Sequence, residues 1–136
     1  MTTALMSLLG FAMWSVLLVT AIGAVRAGMV LTRQKRANDF PSGQPHGSDM
    51  YWRLNRAHLN ALENLPIFAT VVAVGAFLQV DTPLFGTLAT VVLGARVAQS
   101  LLHVSSGSVP IVNARFSAFL TQLVCIAWMA FLIVSR

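Results

Sequence analysis

The segment Arg56-Ala57-His58-Leu59-Asn60-Ala61-Leu62-Glu63-Asn64-Leu65-Pro66-Ile67-Phe68 carries an arginine, two asparagines and a glutamate straight into a long apolar run. Charge in hydrocarbon costs roughly 3 kcal/mol or more per residue at the bilayer centre. A chain that keeps such groups there must shelter them between helices or use them. The rest of the sequence puts this stretch inside a membrane. Of 136 residues, 57% are hydrophobic and only 10% are charged, with a mean hydropathy of +0.75. A soluble domain carries about 25% charged residues. So much apolar surface cannot be hidden in a core of this size.

A membrane-crossing helix needs about 20 apolar residues. Four stretches qualify, at about 4–31, 50–80, 84–103 and 111–134. Open sheets cannot live in lipid, so the expected fold is an all-α membrane protein, one domain built as a four-transmembrane-helix bundle. The N-terminal stretch has no basic residues ahead of it and no clear cleavage site, so it reads as a retained helix. Residues 33–49 form a polar loop with Pro41, Gly43, Pro45 and Gly47. Ser48 or Asp49 is expected to cap the second helix, and Asp81 or Thr82 the third, with Pro83 in its first turn. The first connection holds Arg33, Lys35, Arg36, Arg53 and Arg56, and the second holds no lysine or arginine. The positive-inside rule then makes the first and third connections cytoplasmic, with Arg136 a contrary signal.

At 100° per residue, Arg53, Arg56, Asn60 and Glu63 share one face of the second helix within about 80° of arc. His58 points the other way. Pro66 removes a backbone bond and is expected to bend the helix just beyond the stripe. Arg96, Gln99, Ser100 and His103 repeat the pattern near the same end of the third helix, and Arg115 opens the fourth at the same depth. Arg26 and Arg33 mark that end of the first. Glu63 is the single acid in this layer and cannot neutralise Arg56, Arg96 and Arg115 together. A surplus of buried positive charge needs water or a bound anion, and the arginine fork suits carboxylates. A short peptide such as glutathione, with two carboxylates, one ammonium and a thiol, meets these terms. An anionic lipid headgroup meets them equally well. An inter-helix ion pair from Glu63 to Arg56 or Arg96 is the structural alternative.

The segment Arg56–Phe68 resembles the signature of the MAPEG superfamily, the membrane-associated proteins in eicosanoid and glutathione metabolism. Length, four spans and the basic first loop agree, so the resemblance covers nearly the whole chain and points to a bacterial-type member similar to microsomal glutathione transferases. It implies a left-handed four-helix bundle assembled as a homotrimer, with glutathione as co-substrate between neighbouring subunits at the cytoplasmic side and a hydrophobic small molecule or lipid as its acceptor. It implies Arg56, Asn60 and Glu63 as glutathione contacts, Arg53 as a further basic position, Arg96 and Gln99 from the third helix, and Arg33 by a loose correspondence. The departures are local. Where eicosanoid-forming members carry a tyrosine seven residues after the third-helix arginine, this chain has His103, and Tyr51 is its sole tyrosine. The thiolate-stabilising arginine expected just after Pro110 is replaced by Val112, and the nearest arginine is Arg115. Arg115 and His103 are therefore the catalytic candidates. The expected activity is a membrane-bound glutathione transferase or peroxidase, with a non-catalytic lipid-binding trimer or accessory subunit as the rival. The expected location is a bacterial inner membrane.

Other groups carry less. Three dispersed histidines and one cysteine show no metal-ligand spacing, and no soluble basic domain exists for nucleic acid. Cys125 is expected to pack as a small side chain, and His46 to be merely solvated in its loop. Trp14, Trp52 and Trp128 are expected to anchor or pack. Gly10, Gly23, Gly28, Gly75, Gly86 and Gly94 are expected to permit close helix packing.

Overall fold

A computed structural model describes residues 1–135. Four helices follow in order: α1 (Thr3–Leu31), α2 (Asp49–Phe77), α3 (Pro83–Ser105) and α4 (Val109–Val134). Each is long and apolar enough to cross a membrane, and the described residues contain no strand. The protein is an integral membrane four-helix bundle. Arg136, the contrary signal for orientation, lies outside the described residues.

The caps are those the turn chemistry demands. The hydroxyls of Thr2, Ser48 and Thr82 accept from the backbone N–H of Leu5, Tyr51 and Phe85, each satisfying one of the donors a helix start leaves open. Ser48 and Thr82 take the role, and Asp49 and Asp81 do not. The second helix stops at Phe77, three residues before the apolar run ends. Gln79 turns left-handed (φ 58°), and the Gln79 and Val80 N–H groups donate back to Ala76 and Gly75. This closing turn satisfies carbonyls that would otherwise be orphaned. Pro66 sits inside α2, and the helix runs through it.

Helices α1, α2 and α3 pack against one another. Helix α4 leans mainly on α3, touches α2 lightly and does not reach α1. The core is a column of Phe11, Leu18, Ile22, Phe68, Val72, Phe85, Ala89 and Met129, with Cys125 packed in it. Close approach is bought by small residues at three of the six helix glycines. A Cβ at Gly75 would come within 2.6 Å of the Phe85 ring, and those at Gly10 and Gly86 would meet Leu93 and Thr3 at 2.9 and 3.0 Å. Gly23, Gly28 and Gly94 face open space, so their smallness serves no contact within the subunit. Trp128 is exposed, whereas the indole nitrogen of Trp14 is buried without a partner.

Candidate functional site

Up-and-down connectivity brings the start of α2, the end of α3 and the start of α4 to the end of the bundle that carries the basic first loop. A groove of about 300 Å³ opens there. Arg56 and Asn60 line it from α2, Gln99 and His103 from α3, and Arg115 from α4. Val112, Phe116 and Phe119 supply an apolar wall from α4. Four residues picked from helical spacing and Arg115, picked from its depth, thus converge on one cavity, and among the described residues no acidic side chain lines it.

The groove's floor is oriented by a second layer beneath it. Arg96, 1% exposed, donates from Nη1 to Asn60 Oδ1 at 2.7 Å. Its guanidinium also lies over the Phe11 ring, 5.3 Å from the centroid. Gln122, fully buried, donates from Nε2 to Gln99 Oε1 at 2.9 Å and to the Ala118 carbonyl. Both amide oxygens of the floor are therefore occupied from below. The amide N–H groups of Asn60 and Gln99 are left for the groove. With two guanidiniums and an imidazole around them, the cavity offers hydrogen-bond donors almost exclusively. Such a lining selects for anions.

Several expected residues stand elsewhere. Arg96 does not reach the groove; it lies under it. Arg53 is half-buried and donates from Nε to the Val104 carbonyl at 3.1 Å, tying α2 to the end of α3. It stays at the rim, where Arg115, Arg56 and Arg53 all fall within electrostatic reach of His103. Arg33 is exposed past the end of α1 in a left-handed conformation (φ 57°) and does not line the groove. Its N–H closes the helix end on Val30. Glu63 is exposed, one turn beyond Asn60. It lies within electrostatic reach of Arg96 but forms no ion pair with Arg96 or Arg56, so the inter-helix pair is absent within the subunit.

Gln122, Phe11, Phe116 and Phe119 escaped the spacing analysis. Gln122 had a signal: it is a lone carboxamide deep in the apolar α4, where a polar group needs a buried partner. The phenylalanines had none, since aromatic residues recur throughout the spans. His46 also departs from expectation. It is half-buried, with its ring packed near Phe40, Tyr51 and Trp52. No cluster of metal-ligating side chains exists among the described residues.

These features define a four-helix integral membrane protein with a groove at its basic end that is lined by cationic and amide side chains. The chain belongs to the MAPEG family, whose sequence profile matches residues 4–135. Membership places it in the superfamily of membrane proteins of eicosanoid and glutathione metabolism. Neither the curated proteins nor the solved structures yield a match to it.

Proposed function

We propose that this protein is a membrane-bound glutathione transferase or peroxidase acting on hydrophobic electrophiles. The observation that carries the reading is the donor-rich groove. Arg56 and Arg115 flank it from α2 and α4, the Asn60 and Gln99 amides present N–H groups between them, and no acid competes. Glutathione brings two carboxylates for the guanidiniums. Its ammonium is matched by Glu63, the one carboxylate nearby.

The chemistry follows from charge. A thiol beside Arg115 is held closer to its thiolate form, because a neighbouring cation favours the charged state. His103 donates a hydrogen bond to sulfur or to the acceptor. The sulfur lone pair forms the new S–C bond, the thiol proton leaves to water, and any leaving group departs with its bonding pair. With a lipid hydroperoxide, the thiolate takes the outer oxygen and releases the alcohol. A second glutathione then forms the disulfide and water. The acceptor reaches the groove from the bilayer along Phe116 and Phe119.

The assembled form in this reading is a homotrimer in a bacterial inner membrane, with the basic end cytoplasmic and the groove closed between neighbouring subunits. Two observations support assembly. The exposed surface is 7994 Å², against about 6,900 Å² for a compact soluble monomer of this mass. Glu63 also stands exposed within a membrane-spanning helix, which lipid would penalise.

Calorimetric titration of detergent-purified protein with glutathione tests binding, and ultraviolet difference absorbance tests for thiolate. A thiolate band that disappears in Arg115→Ala is the expected result. Binding with no such band supports the rival, a non-catalytic trimer that uses the Val112–Phe116–Phe119 wall to hold lipid. No binding at all overturns the glutathione reading.

A further inference from the structure

At the end of the bundle opposite the basic loop, a cavity of about 510 Å³ opens between the start of α1 and the start of α3. Thr3 lines it from α1, Asp81 and Thr82 from the turn before α3, and Gly86, Thr87 and Thr90 from α3. None of these residues borders the groove at the basic end. The two helices run parallel here in constant register. Thr3 packs against Gly86, Gly10 packs against Leu93, and the Ser7 and Thr90 hydroxyl oxygens lie 3.3 Å apart, each pair separated by 83 residues. Two turns further along the same furrow, about 10 Å by helix rise, lies a second cavity of about 460 Å³. Gly10, Met13, Trp14 and Leu17 of α1 and Val97 of α3 line it. Its one hydroxyl, that of Thr20, donates to the Val16 carbonyl of its own helix at 2.8 Å.

The polar groups of the first cavity are mostly acceptors. Thr87 and Thr90 donate their hydroxyl hydrogens to the Pro83 and Gly86 carbonyls at 2.8 and 3.0 Å. A hydroxyl has one hydrogen and two lone pairs, so both oxygens remain as acceptors. Asp81 adds a carboxylate that has no hydrogen bond or ion pair among the described residues. It is the sole charged side chain that those residues place at this end of the bundle. The lining is thus the reverse of the groove at the basic end, with acceptors and one negative charge where that groove has donors and positive charge. The Thr82 hydroxyl accepts from the Phe85 N–H at 3.2 Å and keeps its own hydrogen.

A primary ammonium, with three donors and one positive charge, is the complement of such a lining. We infer that the α1–α3 furrow seats a phospholipid with a primary ammonium headgroup. The ammonium donates to the Asp81 carboxylate and to the Thr87 and Thr90 oxygens, the phosphate accepts from the Thr82 hydroxyl, and an acyl chain lies along Met13, Leu17 and Val97. The continuation of the furrow favours a lipid over a soluble amine. Both helices cross the membrane, and Met13 and Leu17 are exposed along it, so its occupant is cationic at one tip and apolar beyond. Headgroup chemistry is also discriminated. A choline headgroup carries the same charge without an N–H donor, and a glycerol headgroup carries no cation.

The test uses the full chain, purified in neutral detergent. Phosphatidylethanolamine, phosphatidylcholine and phosphatidylglycerol with identical acyl chains are the probes, and bound lipid is read by native mass spectrometry and competition titration. Phosphatidylethanolamine should bind roughly tenfold more tightly than phosphatidylcholine, as expected for one charge-assisted hydrogen bond. Asp81→Asn, an exposed change that leaves the Thr82 cap in place, should reduce that preference to within about twofold. Thr87→Val keeps the side-chain shape and removes one acceptor, so it should lower phosphatidylethanolamine binding and leave phosphatidylcholine unchanged; it also keeps the test decisive should Asp81→Asn fold poorly. Val97→Trp, which fills the apolar stretch, should weaken all three lipids and preserve their order. Equal binding of phosphatidylethanolamine and phosphatidylcholine by the parent overturns the inference. So does a preference that survives both Asp81→Asn and Thr87→Val. Dissociation of the oligomer by Asp81→Asn on size-exclusion chromatography, with lipid preference unchanged, also overturns it, because the furrow is then a contact between copies. The glutathione titration should be unaffected by all three substitutions, so the outcome is independent of the activity proposed for the groove at the basic end.

Discussion

Arg96 is a buried cation whose electrostatic needs are only partly met, and replacing it by methionine separates binding from stability. Nη1 has Asn60, and the ring of Phe11 lies beneath, but Nε and Nη2 are buried with no partner. Arg96→Met gives up one charge-assisted hydrogen bond of about 1.5–3 kcal/mol and a desolvated cation–π contact of about 2 kcal/mol. It also removes the desolvation cost of the guanidinium, which is several kcal/mol even after relaxation. The two sides nearly cancel, so stability should stay within about 2 kcal/mol of the parent. Asn60→Leu should cost more, about 1–3 kcal/mol, since it leaves a third guanidinium nitrogen unbonded. The Arg96→Met/Asn60→Leu double variant should recover most of that loss. Unfolding by sodium dodecyl sulfate in mixed micelles measures all three. Glutathione affinity should drop in Arg96→Met even though the fold survives, because Asn60 is then free to turn its oxygen toward the ligand. A loss of 3–5 kcal/mol in Arg96→Met, the figure for breaking a satisfied buried pair, would refute the reasoning. It would mean that assembly gives Arg96 a counter-ion, with Glu63 the obvious source.

Three further outcomes are expected. Glu63→Gln should change subunit stability by less than about 0.5 kcal/mol, as an exposed group without an ion pair does, while glutathione affinity falls and the oligomer persists on size-exclusion chromatography; dissociation with unfolding would return Glu63 to a purely structural role. Gly75→Ala should destabilise by about 1–3 kcal/mol, because the new methyl must displace the Phe85 ring, whereas Gly94→Ala, which meets nothing, should not; the same unfolding titration compares them. Thr82→Ala should cost about 1 kcal/mol through loss of the α3 cap, visible as faster hydrogen exchange at Phe85.

The fold was legible because hydrocarbon imposes one dominant rule, and helix ends obey another. Spans, loops and caps followed from apolar length and from Ser48, Thr82 and Pro83. The early end of α2 was not legible, because Leu78-Gln79-Val80 has no glycine to announce a left-handed turn. The site was half legible. Spacing put Arg56 with Asn60 and Gln99 with His103, and equal depth added Arg115. Spacing cannot tell depth within a bundle, however. Arg96 and Gln99 lie one turn apart on one face, yet one is sealed beneath the groove and the other lines it. What separates them is the neighbour across the interface, Asn60 for one and Gln122 for the other. His46 fails for a related reason: a loop's polarity says nothing about which of its residues folds back onto a helix.

The surplus of arginine, read from the sequence as a demand for an anion, divides in the structure into two demands of different kinds. Arg96 is not available to a ligand, and its charge acts through Asn60, whose carbonyl it occupies. Arg56 and Arg115 remain exposed enough to meet a ligand directly. A buried cation that fixes an amide and surface cations that contact the guest respond differently to salt. Exposed charges are screened within about 10 Å at 0.1 M ionic strength, and buried ones much less. Raising salt should therefore weaken glutathione capture through Arg56 and Arg115 while leaving the Arg96–Asn60 bond, and the donor face it creates, intact.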